Sequence, residues 1–274
     1  MKDNPYLPEL ARIVEIKEEV GGERAIKSFR TQFIRENGFS FQCGQCAMLS
    51  VFGRGESMIS ISSSPYTSDY HQFSIMKMGR VTTALHDMQE NDIIGIRGPF
   101  GNAFPVDQWK GKNLIFIGGG IGLAPIWSVL HTALHEQEDY GDFTLIYGAR
   151  TSGHLVFKDE LEELRDKMTV YLSVDEEESG WEEFVGFVPQ NVTEKKPSPE
   201  NAIAVTCGPP IMIKYVIQAL QDLEFDDSQI YTTIENKMKC GIGKCGRCNI
   251  GSHYVCKDGP VYSWAELKQL PQEY

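Results

Sequence analysis

The sequence predicts an antiparallel β-barrel, then a Rossmann-like parallel α/β domain, then a small C-terminal metal module. Three observations carry this. Short β-rich runs divided by turn signals fill the first hundred residues, apolar strands alternate with helical stretches from Lys112 onward, and four of the seven cysteines fall within residues 240–256. The expected boundaries are 1–107, 108–229 and 230–274, and 274 residues are long enough for two cores plus an appendage.

The barrel is read from TQFI before Glu36-Asn37-Gly38, AMLSVF before GRGE, SMISIS before SSP, and DIIGIR before GPFG. Short strands punctuated by glycine and proline are the pattern of antiparallel barrels. In the next segment LIFI leads into GGGIGLAP and a helix, and TLIYGAR leads into the helical KDELEELRDK. TVYLSV and AIAVTCG supply further strands, the second followed by the helical IMIKYVIQALQDL, with EESGWEEF a charged loop between them. Apolar strands alternating with helices indicate βαβ units and a parallel sheet. After Tyr231 the chain turns cysteine- and glycine-rich and closes on SWAELKQL, a last helix capped by Ser263.

The net charge of −12, with no run of lysine or arginine, argues against a nucleic-acid or anionic-membrane partner. Leu114–Leu130 is the longest apolar stretch, but its four glycines and one proline make it a strand–turn–helix and not a membrane span. The first twenty residues have no apolar core of the signal-peptide kind. Clustered cysteines without secretion signals read as metal ligands, so the protein is expected in the cytoplasm.

Cys240, Cys245, Cys248 and Cys256 are spaced C-x4-C-x2-C with seven residues before the fourth. The first three spacings match a plant-type [2Fe–2S] loop, in which glycines such as Gly241, Gly243 and Gly246 allow a tight wrap. The same thiolates also suit a structural zinc knuckle, although zinc favours paired C-x2-C hooks and only one is present. Gly118, Gly119, Gly120 and Gly122 lie between a buried strand and a helix start, where backbone N–H groups attract phosphate. A glycine-rich βα turn without a ligand has the same local sequence. Cys207 and Gly208 follow a later strand, at the carboxyl edge where open α/β sheets bind ligands; packing is the ordinary role of a buried cysteine. In the barrel half, Ser60, Ser62, Gly79, Thr82 and Thr83 offer hydroxyls and a turn to a phosphate-bearing group.

Taken in order, ISISSSP, KMGRVTTAL, GPFGNAFP, GGGIGLAP with YGAR-T, CGPPIM and KCGIGKCGRC resemble the iron–sulfur branch of the ferredoxin–NADP reductase superfamily. That branch holds sulfhydrogenase gamma subunits, anaerobic sulfite reductase B subunits and dihydroorotate dehydrogenase electron-transfer subunits. The resemblance spans nearly the whole chain and implies FAD in the barrel, NAD(P)H on the α/β domain and a [2Fe–2S] cluster in the tail. It implies that Ile59, Ser60, Ile61 and Ser62 line the flavin, that Ile75 and Lys77 touch it by backbone, and that Gly79, Val81 and Thr82 meet its pyrophosphate. By the same resemblance Gly118 to Gly122 and Arg150 hold the nicotinamide dinucleotide, with Cys207 as the catalytic residue and Gly208 and Pro209 beside the nicotinamide ring. The expected activity is that of a diaphorase subunit of a larger redox complex, exchanging electrons with catalytic and carrier subunits, and the cofactors perform the chemistry. A dihydroorotate dehydrogenase electron-transfer subunit is the alternative within that class; a zinc- and nucleotide-binding scaffold is the alternative outside it.

Two departures stand out. Ser57 and Ile59 replace the arginine and tyrosine of the family's R-x-Y-S motif, which leaves Arg80 or Arg54 to meet the flavin phosphates. Cys43-Gly44-Gln45-Cys46 replaces the usual P-G-Q entry to a barrel strand and forms a second C-x2-C. Elsewhere His131 and His135 have i, i+4 spacing but no third ligand and read as a solvated helix face, Asp175 to Glu178 read as a solvated loop with a partner-docking patch as the alternative, and Tyr262 and Trp264 cover the cluster, anchor a partner subunit or pack on the neighbouring domain. The strand TLIY ends in Gly148, Ala149 and Arg150 without an acid, which tolerates a nucleotide 2′-phosphate.

Overall fold

The computed structural model describes residues 4–35 and 38–271. Six strands, β1 (Glu9–Val20), β2 (Ile26–Phe33), β3 (Cys46–Val51), β4 (Gly55–Ser60), β5 (His71–Met76) and β6 (Ile93–Phe100), form one sheet in the order β4-β3-β6-β1-β2-β5. Every neighbouring pair is antiparallel. The sheet curls until its two ends meet, because Ser62, just past β4, donates its N–H to the Gln72 carbonyl of β5 at 2.8 Å. Inside lie Ala11, Ile13, Phe29, Leu49, Phe73 and Ile96, all essentially unexposed. A buried hydroxyl chain, Ser28 to Ser74 to Ser62, runs through the same interior at 2.9 and 3.1 Å, satisfying polar groups that would otherwise be costly there. The short helix α1 (Arg80–His86) closes one end, with His86 Nε2 2.8 Å from the Ile75 carbonyl.

The expected strands appear as β2, β3, β4 and β6. Positions 36 and 37 of the expected Glu36-Asn37-Gly38 turn lie outside the described residues. The longest strand, β1, has no clean alternation in sequence, because register shifts between Ile13 and Glu15 and between Glu18 and Val20 move its apolar residues off a period of two.

The second sheet takes β7 (Asn113–Gly119), β8 (Phe143–Ala149), β9 (Thr169–Val174), β10 (Phe184–Val185), β11 (Ala202–Cys207), β12 (Ile230–Thr233) and, from the tail, β15 (Val261–Ser263). Its order is β10-β9-β8-β7-β11-β12-β15, parallel except for β15, which pairs antiparallel with β12. Helices α2 (Leu123–His135), α3 (Lys158–Leu164), α4 (Val188–Lys195) and α5 (Pro210–Asp222) cover both faces. The alternation is visible in β7: Leu114 and Phe116 join one core while Ile115 and Ile117 join the other. Burial on two sides is why LIFI and AIAV read as unbroken apolar runs.

The tail adds the hairpin β13 (Asn249–Ile250) and β14 (His253–Tyr254), then α6 (Val255–Asp258), β15 and α7 (Trp264–Leu267). Ser263 caps α7 as expected: its Oγ accepts the Glu266 N–H at 3.2 Å, and Glu266 Oε2 accepts the Ser263 N–H at 2.7 Å. Although β12 and β15 both lie beyond residue 229, they are the last two strands of the α/β sheet, with β15 at its edge, so the tail is built onto that domain.

The tail also docks on the barrel. Asn102 Nδ2 donates to the Val261 carbonyl at 2.7 Å, and Asn102 Oδ1 accepts the Val261 N–H at 2.9 Å. The amide acts as one residue of an added strand. Asn102→Ala removes both bonds from a half-buried site and is expected to cost about 1–3 kcal/mol, lowering the melting temperature by several degrees. Hydrogen exchange at the Val261 amide reads this directly; unchanged protection there would show that the docking does not depend on Asn102.

Candidate functional site

The strand order reverses between β7 and β11, and the register sets Cys207 beside Gly118. This is the topological switch point, where loops diverge above the carboxyl ends of the strands and open a crevice. The two expected segments are thus brought together. Gly122 has no room for a side chain, since a Cβ would lie 2.5 Å from the Cys207 carbonyl oxygen and 2.5 Å from Gly208 Cα. The glycine has a packing role that the phosphate argument did not require. Gly119 is likewise confined, against Pro209 and Met212. Gly120 differs: it has φ +54° and faces open space. Tyr147, at the end of β8, donates its hydroxyl to the Gly120 carbonyl at 3.1 Å and so pulls that oxygen inward.

Cys207 is buried, and burial pushes its thiol up to about 12. Its Sγ lies 3.0 Å from Thr233 Oγ1 at the end of β12. A neutral thiol here is a small shaped wall and not a nucleophile. Glu235 acts electrostatically on both Cys207 and Cys46, which puts a carboxylate where barrel, α/β domain and tail meet. Sequence reasoning passed over Glu235; its one signal was its place between the last parallel strand and the first cluster cysteine.

The barrel side reaches the same region. β5 approaches the Gly120–Gly122 turn, and Ser128 Oγ of α2 donates to the Ser63 carbonyl at 2.7 Å. Ile61, Ser62 and Ile75 are buried, and the Ser62 hydroxyl is engaged with Gln72 and Ser74, so these three side chains face the barrel interior. Ile59, Ser60 and Lys77 are half-buried and Gly79 is exposed. Thr82 Oγ1 accepts the N–H groups of Gly79 and Met78 at 2.9 and 3.0 Å and pins the turn before α1. Arg80 Nη2 and Val81 stand beside Gly55, the neighbour of Arg54, so the two arginines considered for phosphate charge share one edge of the barrel.

Arg150 is exposed at the end of β8, and the Asp175 N–H, from the end of β9, meets the Ala149 and Arg150 carbonyls at 3.2 Å. Burial raises the Asp175 carboxyl while Arg150 opposes that rise. The acidic loop also has structure: Glu178 accepts from Ser152 N–H at 2.8 Å and Ser152 Oγ at 2.5 Å.

The four tail cysteines are neighbours, with Cys240, Cys248 and Cys256 buried and Cys245 exposed. Ile242, Lys244 and Cys245 point their N–H groups at Cys240 Sγ (3.5, 3.3 and 3.4 Å), and Gly243 points its N–H at Cys256 Sγ (3.3 Å). Burial opposes ionisation of Cys240, yet these donors bring it down to about 6, whereas burial pushes Cys256 up to about 12. Cys240 interacts with Cys245, and Cys256 interacts with both Cys248 and Cys240. Four neighbouring thiols with backbone N–H groups turned toward their sulfurs suit a [2Fe–2S] core. The residues present fit the cluster. Arg97, buried in β6, donates to the Cys240 carbonyl at 3.2 Å and to Glu56 at 2.8 Å.

Other tempting residues separate. Cys43 and Cys46 are both buried, with thiols pushed by burial up to about 12 and about 11, but Cys43 lies by Thr132 and Cys46 by Ser60, so the second C-x2-C is packing. His131 sits edge-on to Trp127 and is lowered to about 4 by burial, while His135 stacks on Tyr66 at 4.0 Å; they share no ligand site, and His131 is not on a solvated face. Tyr262 is buried and Trp264 packs on the α/β core.

Comparison with known proteins gives two family matches: an oxidoreductase NAD-binding domain over residues 116–218, and the iron–sulfur cluster binding domain of dihydroorotate dehydrogenase B over residues 235–268. The chain is 40% identical to the sulfhydrogenase 2 subunit gamma of Pyrococcus furiosus over 95% of its length and 96% of that protein. It is 34% identical to the probable dihydroorotate dehydrogenase B electron transfer subunit of Methanocaldococcus jannaschii, covering 97% and 93%. A solved NADH-dependent reduced ferredoxin-NADP oxidoreductase, studied for flavin-based electron bifurcation, shares the fold with a TM-score of 0.74 at 20% identity over 99% of this chain and 91% of that one. Barrel, NAD-binding sheet and four-cysteine tail together match this group from end to end, and the chain belongs to the iron–sulfur electron-transfer subunit family of sulfhydrogenase gamma and dihydroorotate dehydrogenase B proteins.

Proposed function

We propose that this chain is the diaphorase subunit of a multisubunit redox enzyme, with NAD(P)H at the switch-point crevice, FAD on the barrel and a [2Fe–2S] cluster in the tail, serving a partner that carries the catalytic centre. The single observation that carries the reading is the meeting of Gly118–Gly122, Cys207–Pro209 and β5 at the carboxyl edge of the sheet, with Thr233, the last residue of β12 before the cysteine tail, beside Cys207. When bound, the nicotinamide supplies a hydride, the flavin accepts the pair and the cluster carries electrons singly. The protein's part is positional. Gly118, Gly119, Gly120 and Gly122 present backbone to a pyrophosphate, Arg150 lies where an adenosine phosphate would need charge, and Cys207, Gly208 and Pro209 form a wall without ionisable competition. On the barrel, Ile59 and Ser60, with the backbone of Ile75 and Lys77, border the flavin ring. Gly79, Val81 and Thr82 face its pyrophosphate, which is the reason to prefer FAD to FMN. Cys240, Cys245, Cys248 and Cys256 hold the cluster.

None of the seven cysteines forms a disulfide, which suits a reducing compartment, and we place the protein in the cytoplasm. Among the described residues no helix is long and apolar enough to cross a membrane. A second reading, the electron-transfer subunit of a dihydroorotate dehydrogenase, is favoured by the tail's match to that enzyme's cluster domain. Co-purification with a flavoprotein that oxidises dihydroorotate selects it.

Four outcomes test these assignments. The chain purified without oxygen should contain flavin, iron and acid-labile sulfide, with visible absorption bleached by NADH or NADPH; a colourless zinc protein defeats the reading. Cys207→Ala should slow flavin reduction about 10–100-fold with little change in nucleotide affinity, since positioning and not binding is lost. Because burial pushes the Cys207 thiol up to about 12, Cys207→Ser should keep the wild-type pH profile between about pH 6 and 9; a missing ionisation in stopped-flow traces would contradict a neutral role. Arg150→Ala should raise KM for NADPH about tenfold more than KM for NADH, and equal effects would remove Arg150 from the 2′-phosphate site.

A further inference from the structure

The charge of the chain is unevenly distributed. Residues 236–257 carry five basic side chains and no acidic one, leaving 21 basic against 38 acidic in the remainder. Four of the five adjoin a cluster cysteine directly: Lys239 precedes Cys240, Lys244 precedes Cys245, Arg247 precedes Cys248 and Lys257 follows Cys256; Lys237 is the fifth. They never form a run, so the sequence shows no basic tract. Folding gathers them around one loop, where Lys257 lies over Gly243 beside Lys244. All five are exposed, and none forms an ion pair among the described residues, whereas the other described ion pairs engage Lys17, Arg30, Arg97, Lys110, Arg165 and Lys268. The nearest acids in sequence are Glu235, which is exposed and acts electrostatically on Cys46 and Cys207, and Asp258, whose Oδ2 accepts the Tyr254 N–H at 2.7 Å. Cys245, the exposed ligand, sits between Lys244 and Arg247.

We propose that this basic collar is the docking surface for the electron partner, and that the partner presents an acidic face around a one-electron centre. The inference rests on the proposed function and adds the sign of the partner's charge. Unpaired cations on an acidic protein repel one another least at scattered positions, so their concentration around the one loop that holds a redox centre calls for an anionic surface opposite. The body's negative charge meanwhile turns the same partner away from every other face, which orients the encounter. Being exposed, the side chains are well screened from the cluster and act mainly on encounter rates.

The test uses the holo full-length chain, reduced with dithionite and mixed in a stopped-flow instrument with ferricyanide or with hexaammineruthenium(III), following cluster reoxidation. Between about 10 and 500 mM salt the ferricyanide rate constant should fall about tenfold or more, while that for hexaammineruthenium should rise. The triple variant K244E/R247E/K257E should reverse both trends, with its cluster midpoint potential and its flavin reduction by NAD(P)H unchanged. Identical salt dependences in variant and wild type would overturn the proposal, as would a shift of the midpoint potential that accounts for the rate change. Tight, salt-sensitive binding of a short single-stranded oligonucleotide, abolished in the variant, would also overturn it by assigning the collar to nucleic acid. Loss of flavin reduction by both nucleotides in the wild type would instead sink the proposed function, and the dithionite measurement separates the two failures.

Discussion

A single buried cation ties the barrel to the cysteine loop. Arg97 is 3% exposed, and a guanidinium so deeply placed is tolerated only when its donors are met. Glu56 takes two of them, at 2.8 and 3.2 Å, and the carbonyls of Pro5 and Cys240 take others at 3.1 and 3.2 Å. The ring of Phe100, 5.4 Å from the guanidinium, also packs under Gly241, where any Cβ would collide with it. Cys240 is therefore located by the barrel as much as by its own loop. With Asn102 gripping Val261 a few residues on, the end of β6 sets where the tail stands relative to both other domains.

Other contacts hold the barrel against the α/β domain. Lys17 pairs with Glu160 at 2.9 Å, Glu19 accepts the Phe157 N–H at 3.1 Å, and Val20, Ile26 and Cys43 enter the larger α/β core. Burial raises the Glu19 carboxyl, as expected of an acid enclosed between two domains. These links make the junction a fixed gap and not a hinge between independent units. Electron transfer over short distances asks for that rigidity, because the protein's contribution is placement of reactive groups against one another.

The crevice and the cluster loop use backbone differently. In the crevice, glycines at 119 and 122 allow two loops to interlock, and the carbonyl of Gly120 is turned inward by Tyr147. In the tail, successive N–H groups turn inward toward sulfur and favour thiolate at Cys240. One arrangement lets two loops pack backbone against backbone, and the other stabilises an anion the chain itself provides.

Local sequence determined a good deal. Period-two runs marked β2, β3, β4 and β6, unbroken apolar runs marked β7, β8, β9 and β11, and cysteine spacing marked the four cysteines that the tail brings together, because each of these rests on residues close together in the chain. The strand β1 escaped because its bulges break the period, and β15 because three residues carry no periodicity. The tertiary structure alone decided that Gly122 packs on Cys207, that Ser62 faces inward, that His131 and His135 part company, that Cys43 and Cys46 do the same, and that Arg97 and Glu235 stand at the junction. Each of those depends on partners many residues away in the chain, and such pairings form only when strand order and domain docking bring the partners within bonding distance.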